Sequence, residues 1–202
     1  MTKITPFIAI NNYYRDTNAD ILKTISALSD AQIAWQPHPA CNSIAFLLWH
    51  MARWEDHMQA TIPGMTEELS RCLPPRQQIW ETDQLAAKWG FNSTLLGELE
   101  LGTGFDSKLL DEPPWPQKEV LLEYARQTFA AVEYAISFID DKQFEEIERS
   151  QFDNEYMNET MAESVTVGNA IMEHLVHNVH HLGEIYYLIG LIKQTGVKNG
   201  QA

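Results

Sequence analysis

Apolar positions along the 202-residue chain recur every three or four residues in four long segments, with little of the alternation a strand requires. In the first, from about Pro6 to Ala27, Phe7, Ile10, Tyr14, Ile21, Leu22 and Ile25 follow a helical rhythm. The stretch "LSDAQIAWQPHPACNS" reads as a loop, because Pro37 and Pro39 cannot continue a helix. Ser43 then stands as an N-cap for "IAFLLWHMARWEDHMQATI", where Leu47, Met51, Trp54 and Met58 mark the buried side, and Pro63-Gly64 ends the segment. A third helix begins near Pro116 and places Val120, Leu121, Tyr124, Phe129, Val132 and Ile136 in register. The last runs through "TVGNAIMEHLVHNVHHLGEIYYLIGLIKQTG", with Thr166 as its cap and Gly196 near its end.

Residues 65–116 hold most of the prolines, a short helical piece around "ETDQLAAKWGF", and a fragment "LGTGFDS" that implies a turn and a new helix start. Asp140 to Ala162 is acidic and irregular. The pattern predicts an all-α protein: one domain over residues 1–202, built as a four-helix bundle of helices about 30 Å long. A long, partly irregular connection between the second and third long helices departs from simple up-and-down connectivity. That connection is the expected source of pocket walls.

Composition narrows the function. A formal charge of −14, from 14 basic and 28 acidic residues, opposes nucleic-acid binding over most of the surface. Cys41 and Cys72 are too few for a disulfide framework and are expected as free thiols of a reducing compartment. The N-terminus lacks the pattern of a signal peptide, and no apolar run approaches the roughly 18 residues of a membrane helix. These readings predict a cytoplasmic protein that binds neither membrane nor nucleic acid.

The candidate chemistry lies in "HLVHNVHHLGEI", which holds four of the seven histidines. At about 100° per residue, Ile171, Leu175, Asn178, Leu182, Ile185 and Ile189 form the core stripe. His177 and His181, four apart, stand one above the other on its flank, the spacing by which one helix offers two imidazoles to one ion. In the second helix His50 and His57 share a flank, His50 nearer the core edge. Three imidazoles on two helices would hold a divalent ion with an open position, and the absence of cysteine favours zinc, nickel or iron. The competing reading is structural. His174 suits a core position, His180 and His38 suit solvent, and His57 suits a plain flank position. The chain contains neither H-E-x-x-H nor E-x-x-H, which sets aside a zincin protease and a di-iron bundle.

"NSIAFLLWHMARWEDH" followed much later by "TVGNAIMEHLVHNVHHLGEI" resembles the DinB-like superfamily, whose pattern has one histidine in the second helix and an H-x-x-x-H-x-G-Q-I element in the last. The lead-in "LSDAQIAWQPHPACNS" is similar as well, and the likeness is weakest over 65–116. The resemblance implies a four-helix bundle with a three-histidine metal site, carried over onto His50, His177 and His181, and a homodimer. It further implies thiol-dependent S-transferase or isomerase chemistry with a low-molecular-weight thiol as co-substrate. The chain departs from the pattern at Glu184, where the family commonly has glutamine. Glu184 shares the flank of His177 and His181, and four roles stay open: a fourth ligand, an orienting partner of an imidazole, a general base, or a solvated carboxylate. Arg53, one turn from His50, reads either as a surface residue or as an attractor of an anionic thiol or substrate. The function expected is a metal-dependent enzyme that transfers a thiol to a small electrophilic molecule. The alternatives are a hydrolase using metal-bound water and a non-catalytic module that binds a metal or small ligand.

Overall fold

The computed structural model describes residues 5–104, 115–146 and 165–195. The described residues are helical and contain no strand, as the apolar periodicity predicts. Among them no helix is long and apolar enough to cross a membrane.

The four long helices are α1 (Pro6–Ser26), α3 (Ile44–Thr61), α7 (Lys118–Ile136) and α9 (Val167–Thr195). Local signals set their starts. Thr5 caps α1 with Pro6 in its first turn, the Ser43 side chain accepts from Phe46 N–H, and Thr166 Oγ1 accepts from Asn169 N–H at 3.1 Å. Between them lie the short helices α2 (Asp30–Ala34), α4 (Glu67–Cys72), α5 (Ile79–Thr82), α6 (Leu85–Trp89) and α8 (Asp141–Phe144).

Two apolar clusters fix the direction of packing. One joins Ile21 and Ile25 of α1, Ile44, Leu48 and Trp49 of α3, Leu121 and Phe129 of α7, and Leu182, Ile185 and Ile192 of α9. The other joins Tyr14, Met58, Val132, Ile136, Val167 and Ile171. The second halves of α1 and α9 therefore meet the first halves of α3 and α7. Helices α1 and α9 run one way, α3 and α7 the other, and α3–α7 is the most extensive pairing. Lys118 ties the start of α7 to the end of α1, donating from Nζ to the carbonyls of Ser26 and Leu28 at 3.1 and 2.7 Å.

Several expectations are corrected. The lead-in to α3 is not all loop: Ser29 and Gln32 form a capping box that starts the single turn α2, too short to show periodicity. Thr66 starts α4 by accepting from the Leu69 N–H at 3.1 Å. The piece around "ETDQLAAKWGF" is two turns, broken where Gln84 takes a left-handed conformation at φ 53°. Helix α3 is buried on nearly every side rather than on one stripe, because the connection after it packs over its outer face. Val120 is exposed. The expectations for Gly196, for "FDS" at 105–107 and for most of Asp140 to Ala162 fall outside the described residues. Both cysteines are free and exposed.

A buried polar network joins all four long helices. Glu55 of α3 is fully buried; its Oε2 lies 2.5 Å from Tyr14 Oη of α1, and its Oε1 accepts from Asn178 Nδ2 of α9 at 2.7 Å. Asn178 also donates to Asn18, and Asn18 donates to Glu133 of α7. Burial raises the Glu55 carboxyl to about 8, although the hydrogen bonds from Tyr14 and Asn178 pull it the other way. Folding thus takes up a proton between an unfolded carboxyl near ~4.3 and that raised value. Stability from this group is fully present at low pH and declines as pH rises toward 8. Glu55→Gln, which keeps an acceptor for Asn178 and offers an N–H to Tyr14, is expected to flatten this decline. Denaturant midpoints should match wild type near pH 5 and exceed it at pH 8 to 9; parallel pH curves for the two proteins would disprove it.

Candidate metal centre

His50 sits two turns into α3, where the ring of Phe46 stacks on it with centroids 5.5 Å apart. His177 and His181 come from successive turns of the antiparallel α9. The three Nε2 atoms converge: His177 Nε2 lies 3.0 Å from His50 Nε2 and 3.1 Å from His181 Nε2. A divalent ion bound at about 2.0–2.1 Å would hold its nitrogens roughly 2.9 Å apart in octahedral or 3.3 Å apart in tetrahedral geometry. The observed separations fall between these values.

The other edge of two rings decides which nitrogen keeps its lone pair. His50 Nδ1 lies 2.5 Å from the Leu101 carbonyl, which can only accept, so Nδ1 carries the proton and Nε2 is left as a donor to a cation. His181 Nδ1 donates to Glu184 Oε2 at 2.9 Å, with the same result. His177 Nδ1 is buried with no hydrogen-bond partner among the described residues. Two lone pairs aimed at a third ring nitrogen repel unless a proton or a cation lies between them. Burial pushes His50 down to about 4, partly offset by the Leu101 carbonyl, and pushes His177 lower still with help from the neighbouring His50 and His181. A second proton on His50 or His177 is therefore disfavoured, which leaves their ring nitrogens chemically suited to a metal. Among the described residues, His50, His177 and His181 form a group that could hold an ion.

The remaining histidines lie outside this convergence. His174 is buried beside Trp54 and held down to about 3 by burial and by His57. His57 meets Trp54 edge-on, as a flank residue can. His180 and His38 are exposed. Glu184 is 40% exposed, and its contact with His181 is that of an orienting partner; its second oxygen lies 3.6 Å from His180 Nε2.

Arg53 departs from both sequence readings: it is 1% exposed and faces the chain's own backbone, not solvent or a ligand. Sequence reasoning also missed Leu101, which acts through a carbonyl that every residue carries. The two glycines of "LGTGF" marked a turn there, but nothing local says which ring it meets. A Cβ on Gly102, at φ +85°, would lie 2.6 Å from Trp49 and 3.1 Å from His50 Nδ1.

Comparison with known proteins follows the same line. A family profile described as the DinB superfamily matches residues 13–185. No curated protein matches the chain. A solved structure titled "Crystal structure of the conserved protein of locus from Enterococcus faecalis" is similar in fold, with a TM-score of 0.64 at 16% identity over 92% of this chain and 96% of that one.

Natively purified, tag-free protein is expected to carry about one equivalent of transition metal by plasma mass spectrometry, lost in His177→Ala/His181→Ala. Glu184→Leu, which removes the acceptor for His181, should weaken metal affinity roughly ten- to hundredfold, whereas Glu184→Gln keeps an acceptor and should bind nearly as wild type. Wild-type protein that neither carries nor takes up metal would refute the site.

Proposed function

The chain belongs to the DinB superfamily, and from that membership and the three converging ring nitrogens we propose that it is a metal-dependent enzyme that joins a low-molecular-weight thiol to a small electrophilic molecule. The single observation that carries this reading is the triad itself, three converging imidazoles with no fourth protein ligand among the described residues. His50, His177 and His181 are the proposed ligands, and zinc, nickel or iron suits three imidazoles. A bound ion would supply Lewis acidity, lowering the proton affinity of a thiol at its open position.

The chain's own residues do the rest. The Leu101 carbonyl and Glu184 hold two rings in the orientation that keeps Nε2 free. Glu184, half in solvent, lies on the Nδ1 edge of His181 away from the converging Nε2 atoms, so a thiol proton would reach it only through intervening water. The aromatic side chains of Phe46 and Trp54, packed on His50, bring apolar surface to the site and favour a substrate with an uncharged body.

A second copy of the chain is the proposed protein partner. Met172, Val176, Val179, Tyr186 and Tyr187 are exposed along α9, and with Gly183 and Gly190 they give a second seam at heptad spacing. This seam bears no charge in a chain of net charge −14, so two copies can approach along it without repulsion. It is also self-complementary about Gly183: an antiparallel pairing sets Val179 against Tyr187 and Val176 against Gly190.

Metal-loaded protein is expected to turn over a thiol-plus-electrophile panel only when thiol is present. Glu184→Gln should keep its metal and lose rate if the carboxylate moves the proton. Thiol-independent cleavage of esters or amides would replace the transferase reading with a hydrolase, and tight metal binding without turnover would leave a binding module. Light scattering should give a dimer that Val179→Asp converts to monomer; a wild-type monomer would remove the seam as an interface.

A further inference from the structure

Arg53 lies one turn beyond His50 on α3 and is buried with every N–H engaged. Nη1 donates to Asp56 Oδ2 at 3.3 Å and to Tyr124 Oη at 3.2 Å, and Nη2 to Gln78 Oε1 at 2.9 Å. The two remaining donors reach backbone: Nε to the Glu100 carbonyl at 3.0 Å and Nη2 to the Leu99 carbonyl at 3.2 Å. These carbonyls immediately precede that of Leu101, the acceptor for His50 Nδ1.

Within itself the segment makes two backbone bonds, Glu100 N–H to the Gly97 carbonyl at 3.2 Å and Gly102 N–H to the Leu96 carbonyl at 2.8 Å, and it buries Leu101. Leu99 and Glu100 are successive non-glycine residues in the left-handed region, at φ 52° and 54°, which L-residues with a Cβ seldom adopt in succession. The Leu99 side chain is 51% exposed, so its packing does little to enforce this turn. What holds the two strained residues from outside is the Arg53 fork on their carbonyls, together with Trp80 Nε1, which donates to Glu100 Oε2 at 2.5 Å while Arg53 lies over the Trp80 ring. Strained backbone maintained by surrounding contacts beside a candidate site is where a positioning device is expected.

We propose that Arg53 is a positioning residue of the metal centre: acting through the Leu99–Leu101 backbone, it sets the tautomer and direction of His50. The proposal rests on the metal reading for its consequence, but the arrangement of the His50 ring can be read without metal. A lysine cannot replace Arg53, because a single ammonium cannot span two carbonyls, Gln78, Asp56 and Tyr124 in fixed directions.

The test uses tag-free full-length protein with cobalt(II) alone as probe, in wild type, Arg53→Lys, Trp80→Phe and a control, Val132→Ala, which trims the distant apolar cluster. Chelator competition gives affinity, cobalt visible absorption reports ligand geometry, and imidazole nitrogen shifts of metal-free protein report the His50 tautomer. In wild type His50 should be protonated on Nδ1 alone. Arg53→Lys should mix the tautomers, shift the cobalt spectrum and weaken cobalt binding by roughly ten- to hundredfold, with Trp80→Phe a smaller step the same way and Val132→Ala unchanged. In a His50→Ala background Arg53→Lys should weaken cobalt binding no further. Should Arg53→Lys fail to fold, Trp80→Phe decides. Unchanged tautomer and affinity in the folded variants, or an equal loss with and without His50, overturns the proposal. A wild type that takes up no cobalt but shows an Arg53-dependent tautomer leaves the positioning role intact and refutes the metal reading instead.

Discussion

Helix α3 buries an arginine, a glutamate and an aspartate within four residues, and much of the rest of the structure answers to that constraint. A charged or strongly polar group removed from water must be neutralised or fully hydrogen-bonded. Arg53 and Asp56, three apart, pair with each other and share Tyr124, whereas Glu55 points to another side of the helix, so the two sides recruit different neighbours. Glu55 draws in Tyr14 and Asn178, and so α1 and α9. Asp56 accepts from the N–H groups of Ile79 and Trp80 at 2.8 Å each and from Tyr124 at 2.9 Å, anchoring the connection after α3 and holding α7. Arg53 takes the end of that connection. Apolar burial supplies most of the driving force for packing, but these groups restrict it to one arrangement, since other registers would strand a buried charge.

The candidate metal centre inherits its order from the same helix. His50 is fixed from below by Phe46 and from its outer edge by the Leu101 carbonyl, in a segment that Arg53 and Trp80 hold. Around it Trp49, Trp80, Phe91 and Trp115 pack ring against ring, leaving little freedom for α3 to shift against the crossover. On the opposite side Asn178, one residue past His177, is locked by Glu55, so the rotation of α9 that aims His177 and His181 is set by the buried carboxyl network. The two halves of the site are thus positioned by neighbouring residues of one helix.

The two outer-edge partners differ in kind. A neutral carbonyl serves His50, and a half-exposed carboxylate serves His181. A carboxylate, unlike a carbonyl, would place a negative charge beside any divalent ion held there. Glu184 thus differs from Leu101 in the charge it brings to the site and not in the ring orientation it secures.

Spacing along the chain sufficed for the all-α fold, the starts of α1, α3 and α9, and the pairing of His177 with His181 on one flank, because helical period, caps and the i, i+4 relation are local properties that any helix imposes on its own residues. Only the resemblance of the two motifs singles out His50 from His57. Spacing could not reveal that Arg53 is buried, that the network around Glu55 joins four helices, or that Leu101 meets His50. A buried ion pair and a backbone acceptor depend on which distant segments arrive, and a carbonyl has no side-chain signature to read. Nor could it separate the roles of Glu184, since a flank carboxylate becomes an orienting partner only when the ring beside it is turned toward a histidine on another helix. That turn was decided when α3 and α9 packed together.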